Sequence, residues 1–314
     1  MDPVLVVGGG ISGVAAALEV LRAGLSVVLV DRGRRLGGRM ASRTTDGRPV
    51  DTGASYFTVS DPAFGAVVTD WRRRGLAREW TDTFAVYGDP ERSSAAGPMR
   101  WAAPDGLRTL VEDLAEGLEV RSSTTVAGID PGLTVDGHPY AAVVLAMPDP
   151  QARRLLDSAY ADTIAALDDP YEPVLALTGI WPERAWPELD GAFVHGDPVL
   201  AWVADDGRRR GDDAPVLVAH STADFAAGHL NHPDGTQEPM VDALRERFDI
   251  PASPAYARVH RWSFARPTRQ RNEPYFLGDD GMGVCGDGWH GKSRVEGAYL
   301  SGRALGQAIA ERLS

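Results

Sequence analysis

The chain has 314 residues, 43% of them hydrophobic, which is ample for a buried core and suits two domains sharing one cleft. Its single cysteine, Cys285, excludes an intrachain disulfide framework and a cysteine-only zinc cluster, so no metal is expected and a reducing compartment is, by default the cytoplasm. A formal charge of −12 argues against nucleic acid as a partner, while leaving room for a small anionic ligand wherever arginines gather inside a cleft. Met1 to Leu5 run straight into an apolar strand without a basic leader, and no apolar stretch reaches the roughly 18 residues of a spanning helix, so no membrane association is expected.

Val4-Leu5-Val6-Val7 is a continuous apolar run of the kind a parallel strand buried on both faces requires, and Gly8-Gly9-Gly10-Ile11-Ser12-Gly13 follows at once. A helix from Val14 to Ala23 stops at Gly24, and a second strand, Ser26 to Val30, ends in Asp31. Each part has a physical task. Gly8 permits a tight turn, Gly10 lets the backbone approach a pyrophosphate, and Gly13 lets helix and strand pack closely. The helix N-terminus, at Ile11 and Ser12, offers unpaired N–H groups to the anion, and Asp31 accepts hydrogen bonds from a ribose. Strand, glycines, helix, strand and acid in this order form a dinucleotide-binding fingerprint, which does not by itself choose between FAD and NAD.

The next segment carries that choice. Arg32-Gly33-Arg34-Arg35-Leu36-Gly37-Gly38-Arg39-Met40 is followed by Asp51-Thr52-Gly53-Ala54-Ser55-Tyr56-Phe57. A second pair of glycines beside an arginine lets backbone come close to another stretch of an extended cofactor while a guanidinium meets phosphate. The series resembles the flavin-containing amine oxidase superfamily, where it lines the FAD pyrophosphate and flavin. The resemblance implies FAD, with Arg32, Gly38, Arg39, Met40, Ala54 and Ser55 along it.

Further along, the strand Glu119 to Arg121 leads to Thr125-Val126, and Val143 to Pro148 matches the superfamily's sheet-closing strand; Val126 falls on the adenine side. The charged stretch from Asp205 to Asp213 reads as a solvated surface turn. Gly283-Val284-Cys285-Gly286-Asp287 reads as a short strand ending in Gly-Asp, and a last helix begins near Arg294 and runs to about Leu313. In the superfamily this strand and helix return to the N-terminal sheet. Gly286 and Asp287 then meet the ribityl or phosphate region, and Val295, Glu296 and Ala298 bring a helix N-terminus to the flavin pyrimidine. The helix dipole there stabilises negative charge on reduced flavin. Cys285 reads as a small buried strand residue rather than a covalent flavin anchor.

The resemblance runs over essentially the whole chain and is strongest to the renalase family, bacterial members included, through LGGRM, DTGASYFT, AAPDGLRTLVEDL, VVLAMPDPQARRLL, VLVAHSTADF, RVHRWSFARP and CGDGWHGKSRVEGAYLSGRAL in that order. It implies an α/β fold. A Rossmann-like FAD-binding domain of the glutathione-reductase type, amine-oxidase branch (residues 1–79, 102–149 and 258–314), would carry a smaller α+β substrate domain built on an antiparallel sheet (80–101 and 150–257). Many amine oxidases place a lysine on a substrate-domain strand; the matching strand here, Val174 to Trp181, has none, and Lys292 is the one lysine of the chain. Candidate catalytic residues are Tyr56, in the DTGA segment; Trp262, in an Arg-Trp pair that flanks the ring in relatives; Trp289 and His290, where a loop borders the ring or caps the surface; and His220, after an apolar strand. Arg266, Arg269 and Arg271 read either as contacts to a phosphate-bearing substrate or as solvated loop charge.

Resemblance to renalase implies an oxidase that takes a hydride from a 2- or 6-dihydro isomer of NAD(P)H and reduces O2 to H2O2, as a monomer or homodimer. The alternative within the same fold is an amine, amino-acid or secondary-metabolite oxidase. A third reading is a prenyl-protein carrier without working flavin, against which the complete set of FAD motifs argues.

Overall fold

Four apolar residues in a row can be buried only where helices cover both faces of a sheet, and Val4–Val7, Val27–Val30 and Ala142–Leu145 are buried throughout. In the computed structural model, which describes residues 1–45, 47–88 and 92–314, these strands lie side by side. The sheet has six strands in the order Phe276–Leu277, Met282–Val284, Ala142–Leu145, Val4–Val7, Val27–Val30 and Glu119–Arg121. Its strands run parallel except Phe276–Leu277. The helices Ile11–Arg22 and Val295–Leu313 pack against each other at close range. A Cβ on Gly302 would lie 1.9 Å from the Ser12 carbonyl oxygen and one on Gly306 2.5 Å from that of Ala16, so larger residues would force the two helices apart. This sheet belongs to the first of two units, made of residues 1–40, 108–171 and 266–314.

The second unit, residues 41–107 and 172–265, is as large as the first and is built on a seven-stranded sheet. Its order is Tyr256–Pro267, Tyr171–Ile180, Val216–Ser221, Leu200–Asp205, Gly191–Val194, Arg78–Tyr87 and Arg92–Ala102. The pairs from Tyr171–Ile180 through Gly191–Val194 are antiparallel, as is Arg78–Tyr87 with Arg92–Ala102. Gly191–Val194 lies parallel to Arg78–Tyr87, which is possible because a long stretch of chain, most of it in the first unit, separates them. Leu175, Leu177, Trp181, Leu217, Met240, Leu244 and Phe248 form its main core, each such side chain contributing about 1.5–3 kcal/mol on burial. Residues 41–79, which the sequence reading assigns to the cofactor domain, pack here: Val50 meets Val216 and Val218, and Phe57 pairs with Trp101 through two backbone hydrogen bonds.

The stretch from Asp205 to Asp213 corrects its reading as a solvated turn. Asp206–Arg210 is a helix, and Asp205, Asp206 and Arg209 are fully buried. Asp206 receives Arg48, Arg209 and Arg210; Arg210 also meets Asp51 at 3.0 Å, and Arg48 meets Asp212 at 2.6 Å. Three cations and three carboxylates therefore balance, two of the carboxylates buried and Asp212 at the surface end, the condition under which charge tolerates burial. A charge-rich stretch signals solvent only when its charges lack partners. No helix among the described residues is long and apolar enough to cross a membrane.

Candidate functional site

The glycine turn of the first unit separates into two kinds of position. Gly8 sits at φ +116°, and a Cβ there would lie 2.4 Å from the Ala146 carbonyl oxygen; a Cβ on Gly13 would lie 2.0 Å from that of Gly8. These glycines are demanded by the chain's own packing. Gly10 differs: it caps the helix Ile11–Arg22 from extended backbone, and a Cβ there would meet nothing within 4 Å. Its small size serves open space beside a helix start that has no side-chain cap, leaving the first-turn N–H groups of Ile11, Ser12 and Gly13 for an anion. Gly38, at φ +51°, would bring a Cβ within 3.2 Å of the Gly10 Cα, and Gly37 N–H donates to the Gly9 carbonyl at 2.8 Å. The two glycine motifs thus form one backbone cradle, which fits an extended pyrophosphate-bearing cofactor.

Asp31 has a second task besides the expected ribose contact. Its two carboxylate oxygens accept from Gly9 N–H and Gly33 N–H, each at 2.6 Å, so the acid fixes the glycine turn while each oxygen keeps a free lone pair. Thr124 N–H donates to the Asp31 carbonyl at 2.9 Å, which ties the chain before buried Val126 to this strand end, whereas Arg32 is exposed. Arg39, expected at a phosphate, forks onto Asp287 at 2.8 and 2.5 Å and lies 5.7 Å over the Tyr171 ring. Burial works against its charge, but Asp287 and Tyr171 outweigh it and hold the guanidinium pKa above the usual value. Ser293 adds a hydroxyl donor to Asp287 at 2.6 Å. Met40 is buried beside Arg39 in the same short 3-10 turn. Gly286, at φ +151°, has open space where a Cβ would stand, and its N–H donates to Ser301 Oγ at 3.1 Å. Val295, Glu296 and Ala298 occupy the first turn of the last helix, which also begins without a side-chain cap. Cys285 is fully buried, and that burial pushes its thiol up to about 12 despite a hydrogen bond with Ser12; it is inert at neutral pH.

Trp289 is a core residue of this unit, 5% exposed, packed with Val7, Val284 and Ala152, and covered by the Arg271 guanidinium 4.4 Å from its ring; it is not a surface cap. His290 is exposed at φ +65°. Arg271 meets Asp149 at 2.6 Å and Asp168 at 3.2 Å, and Arg269 meets Asp168 at 2.7 Å, so these two guanidiniums serve carboxylates. Lys292 is exposed.

In the second unit the Asp51–Tyr56 segment is held by side-chain donors. Arg209 reaches the Ser55 and Asp51 carbonyls at 3.0 and 3.2 Å, and Trp262 donates its indole N–H to the Thr52 carbonyl at 2.8 Å. Trp202 donates to Ser55 Oγ at 3.0 Å, and Ala54 lies partly exposed between these anchors. Tyr56 packs at 5.2–6.3 Å, ring to ring, against Trp80, Phe84 and Trp202, and burial raises its phenol pKa. His220 stands opposite Trp202 and Ala176 on adjacent strands. Tyr56, Trp262 and His220 are therefore linked through the Asp51–Ser55 segment and Trp202. Trp202, Arg209 and Asp206 were not singled out from the sequence; the alternation in Leu200–Asp205 marks a strand but gives no hint that its tryptophan reaches residue 55.

Comparison with known proteins accords with this geometry. Residues 6–71 match the NAD(P)-binding Rossmann-like domain, and residues 60–310 match the flavin containing amine oxidoreductase family. Coproporphyrinogen III oxidase of Mycobacterium leprae (strain TN) is 31% identical over 133 residues, 41% of this chain and 26% of that protein. Polyamine oxidase 5 of Oryza sativa subsp. japonica is 47% identical over 54 residues, 17% of this chain and 11% of that protein. The chain thus aligns with about a quarter or less of these relatives' length. The fold is shared over 99% of both chains with a putative protoporphyrinogen oxidase from Exiguobacterium sp. 255-15 (TM-score 0.77, 16% identity). It is shared equally fully with cyclohexylamine oxidase from Brevibacterium oxydans IH-35A (TM-score 0.76, 14% identity). A family match across most of the chain, together with the cradle at Gly8–Gly13 and Gly37–Arg39, means that the chain belongs to the flavin containing amine oxidoreductase family and is an FAD-dependent oxidoreductase.

Proposed function

We propose that this oxidoreductase takes a hydride from a 2- or 6-dihydro isomer of NAD(P)H and passes two electrons to O2, giving NAD(P)+ and H2O2, as renalase-like enzymes do. On this reading the first unit is the cofactor domain and the second the substrate domain. FAD would be held by Gly10, Gly38, Asp31, Asp287 and the two helix N-termini, on a turn that Gly8 and Gly13 shape, and would supply the two-electron acceptor. The observation that carries the reading is the strand Tyr171–Ile180, whose buried side chains are apolar apart from Thr178 and which bears no amine. A dihydropyridine already holds a transferable hydride and gains aromaticity on losing it, so the protein needs only to stack the ring and exclude water; no strong base is required. Tyr56 and Trp262 supply flat surfaces for that task, and His220 a polar edge.

The alternative, an amine or secondary-metabolite oxidase, draws support from the Tyr56, Trp80, Phe84 and Trp202 cluster, since aromatic faces attract cations. Cyclohexylamine oxidase among the structural neighbours points the same way. Anaerobic stopped-flow absorbance separates the two. The 2- and 6-dihydro isomers should bleach the flavin within seconds, benzylamine, spermine and dopamine should leave it oxidised for minutes, and air should restore the yellow spectrum with H2O2 formed in proportion. Rapid bleaching by an amine, with none by either isomer, overturns the first reading in favour of the second.

A further inference from the structure

The strand Tyr256–Pro267 alternates its side chains, so Arg258, His260 and Trp262 share one face and Arg261 the other. Arg43, from the hairpin Ser42–Thr45 and Arg48–Asp51, brings Nη2 to 3.5 Å from His260 Nε2. The Trp262 ring stands edge-on to the imidazole at 4.6 Å and 87°, and its indole N–H is anchored on the Thr52 carbonyl. Everything charged that acts on His260 is positive: Arg43, Arg258 and Arg261. Burial first, and then these three guanidiniums, push the imidazole down to about 4, so it is neutral at pH 7. Arg43 is itself lowered by burial and by Arg258.

Such a cluster is unusual in this chain. Acids outnumber bases by 44 to 32, and other arginines of the same unit find carboxylates (Arg48, Arg208, Arg209, Arg210 and Arg247) or backbone carbonyls (Arg78 and Arg100). Arg261 is satisfied by the Leu230 carbonyl at 2.6 Å. Arg43 and Arg258 have no carboxylate partner among the described residues. Arg43 and Arg258 both reach solvent beside the half-buried His260, and an anion with several acceptor oxygens would offset their mutual repulsion, since guanidinium forks are its matching donors.

We propose that Arg43, Arg258 and His260 form an anion site that takes the diphosphate of a dinucleotide substrate, with Trp262 as its apolar wall. The assignment rests on the dihydronicotinamide reading for the identity of the substrate, and on the side chains alone for the anion. It also weighs against a cationic amine at the same place, which three guanidiniums would repel.

The FAD-loaded protein tests it with inorganic pyrophosphate as the probe, the cofactor's own pyrophosphate cradle being filled. Calorimetry at low salt should register binding, and the His260 ring resonances should titrate with a midpoint raised from about 4 when pyrophosphate saturates the site. Arg43→Gln with Arg258→Gln should weaken binding about tenfold or more, the loss of at least one charge-assisted hydrogen bond. Arg269→Gln, which removes an arginine already paired with Asp168, should leave binding unchanged. Absence of binding at millimolar pyrophosphate, an unmoved His260 titration, or equal binding by the double variant overturns the site. A second comparison separates this failure from that of the function itself. 6-Dihydro-NAD should reduce the flavin at lower concentration than 6-dihydronicotinamide riboside, which lacks the diphosphate, and the double variant should erase the difference. If neither compound reduces the flavin, the dihydronicotinamide reading falls while the pyrophosphate titration still decides the anion site.

Discussion

Replacing Asp206 by alanine tests whether the buried charges of the second unit are structural. The carboxylate is fully buried and accepts from Arg48, from Arg209 through Nε at 3.0 Å and through Nη2, and from Arg210 Nε at 3.0 Å. Its removal leaves three guanidiniums facing two carboxylates, Asp51 and Asp212. Breaking a buried pair by deleting one partner costs about 3–5 kcal/mol, because an uncompensated charge remains in low dielectric. With a urea slope of roughly 3 kcal/mol/M, the midpoint should fall by about 1–2 M. The pH dependence carries a sign. Burial alone would raise the Asp206 pKa, but Arg209, Arg210 and Arg48 outweigh it and hold the carboxyl well below the usual carboxylate range. A depressed folded value contributes stability that is present above the unfolded value, about 4, and is lost as pH falls through the folded one. The parent should therefore weaken in acid more steeply than Asp206→Ala. A variant within about 0.5 kcal/mol of the parent, the range of an ordinary surface substitution, or one with an unchanged acid limb, would refute the reasoning.

The two kinds of glycine in the cradle should part company: Gly10→Val should lose FAD, read by the flavin absorbance of purified protein, with little change in the stability of the apo fold, whereas Gly13→Ala should destabilise the fold because its Cβ would meet the Gly8 carbonyl at 2.0 Å. Full flavin content in Gly10→Val would count against the cradle. Arg39→Ala should raise the FAD dissociation constant more than Lys292→Ala, since Arg39 fixes Asp287 and Lys292 is exposed; equal constants from ultrafiltration would remove Arg39 from the cofactor's support.

The first unit was legible because its signals are local and steric. The turn after Val7 needs glycine at Gly8 and Gly13 for reasons confined to neighbouring backbone, and the apolar strands announce their own burial. Boundaries moved only slightly: the helix expected from Val14 begins at Ile11, and the last helix runs Val295–Leu313. The second unit was less legible because its contacts span long separations. Nothing in Asp205–Asp213 reveals that Arg48 and Asp51, over 150 residues earlier, will complete its charges. The alternation in Tyr256–Pro267 does place Arg258, His260 and Trp262 together, yet Arg43 joins them only through the fold.

These long-range contacts converge on one segment for a reason that follows from backbone bookkeeping. After Asp51 the chain leaves its hairpin strand, and buried carbonyls there must find donors elsewhere or lose the energy of a hydrogen bond each. Arg209 supplies two of them and the Trp262 indole a third, while Asp51 itself accepts from Ser42 Oγ at 2.5 Å and from Leu107 N–H at 3.0 Å. A sheet ladder could have met the same demand, but it would have alternated the side chains of Ala54, Ser55 and Tyr56 between two faces. Side-chain donors leave the segment irregular and still fixed, and a segment that is irregular and fixed is what positions a ligand-binding loop. The buried ions of Asp206, Arg209 and Arg210 are thus explained by the backbone they hold. A well-packed apolar replacement would serve stability as well or better, but it has no N–H groups to offer those carbonyls.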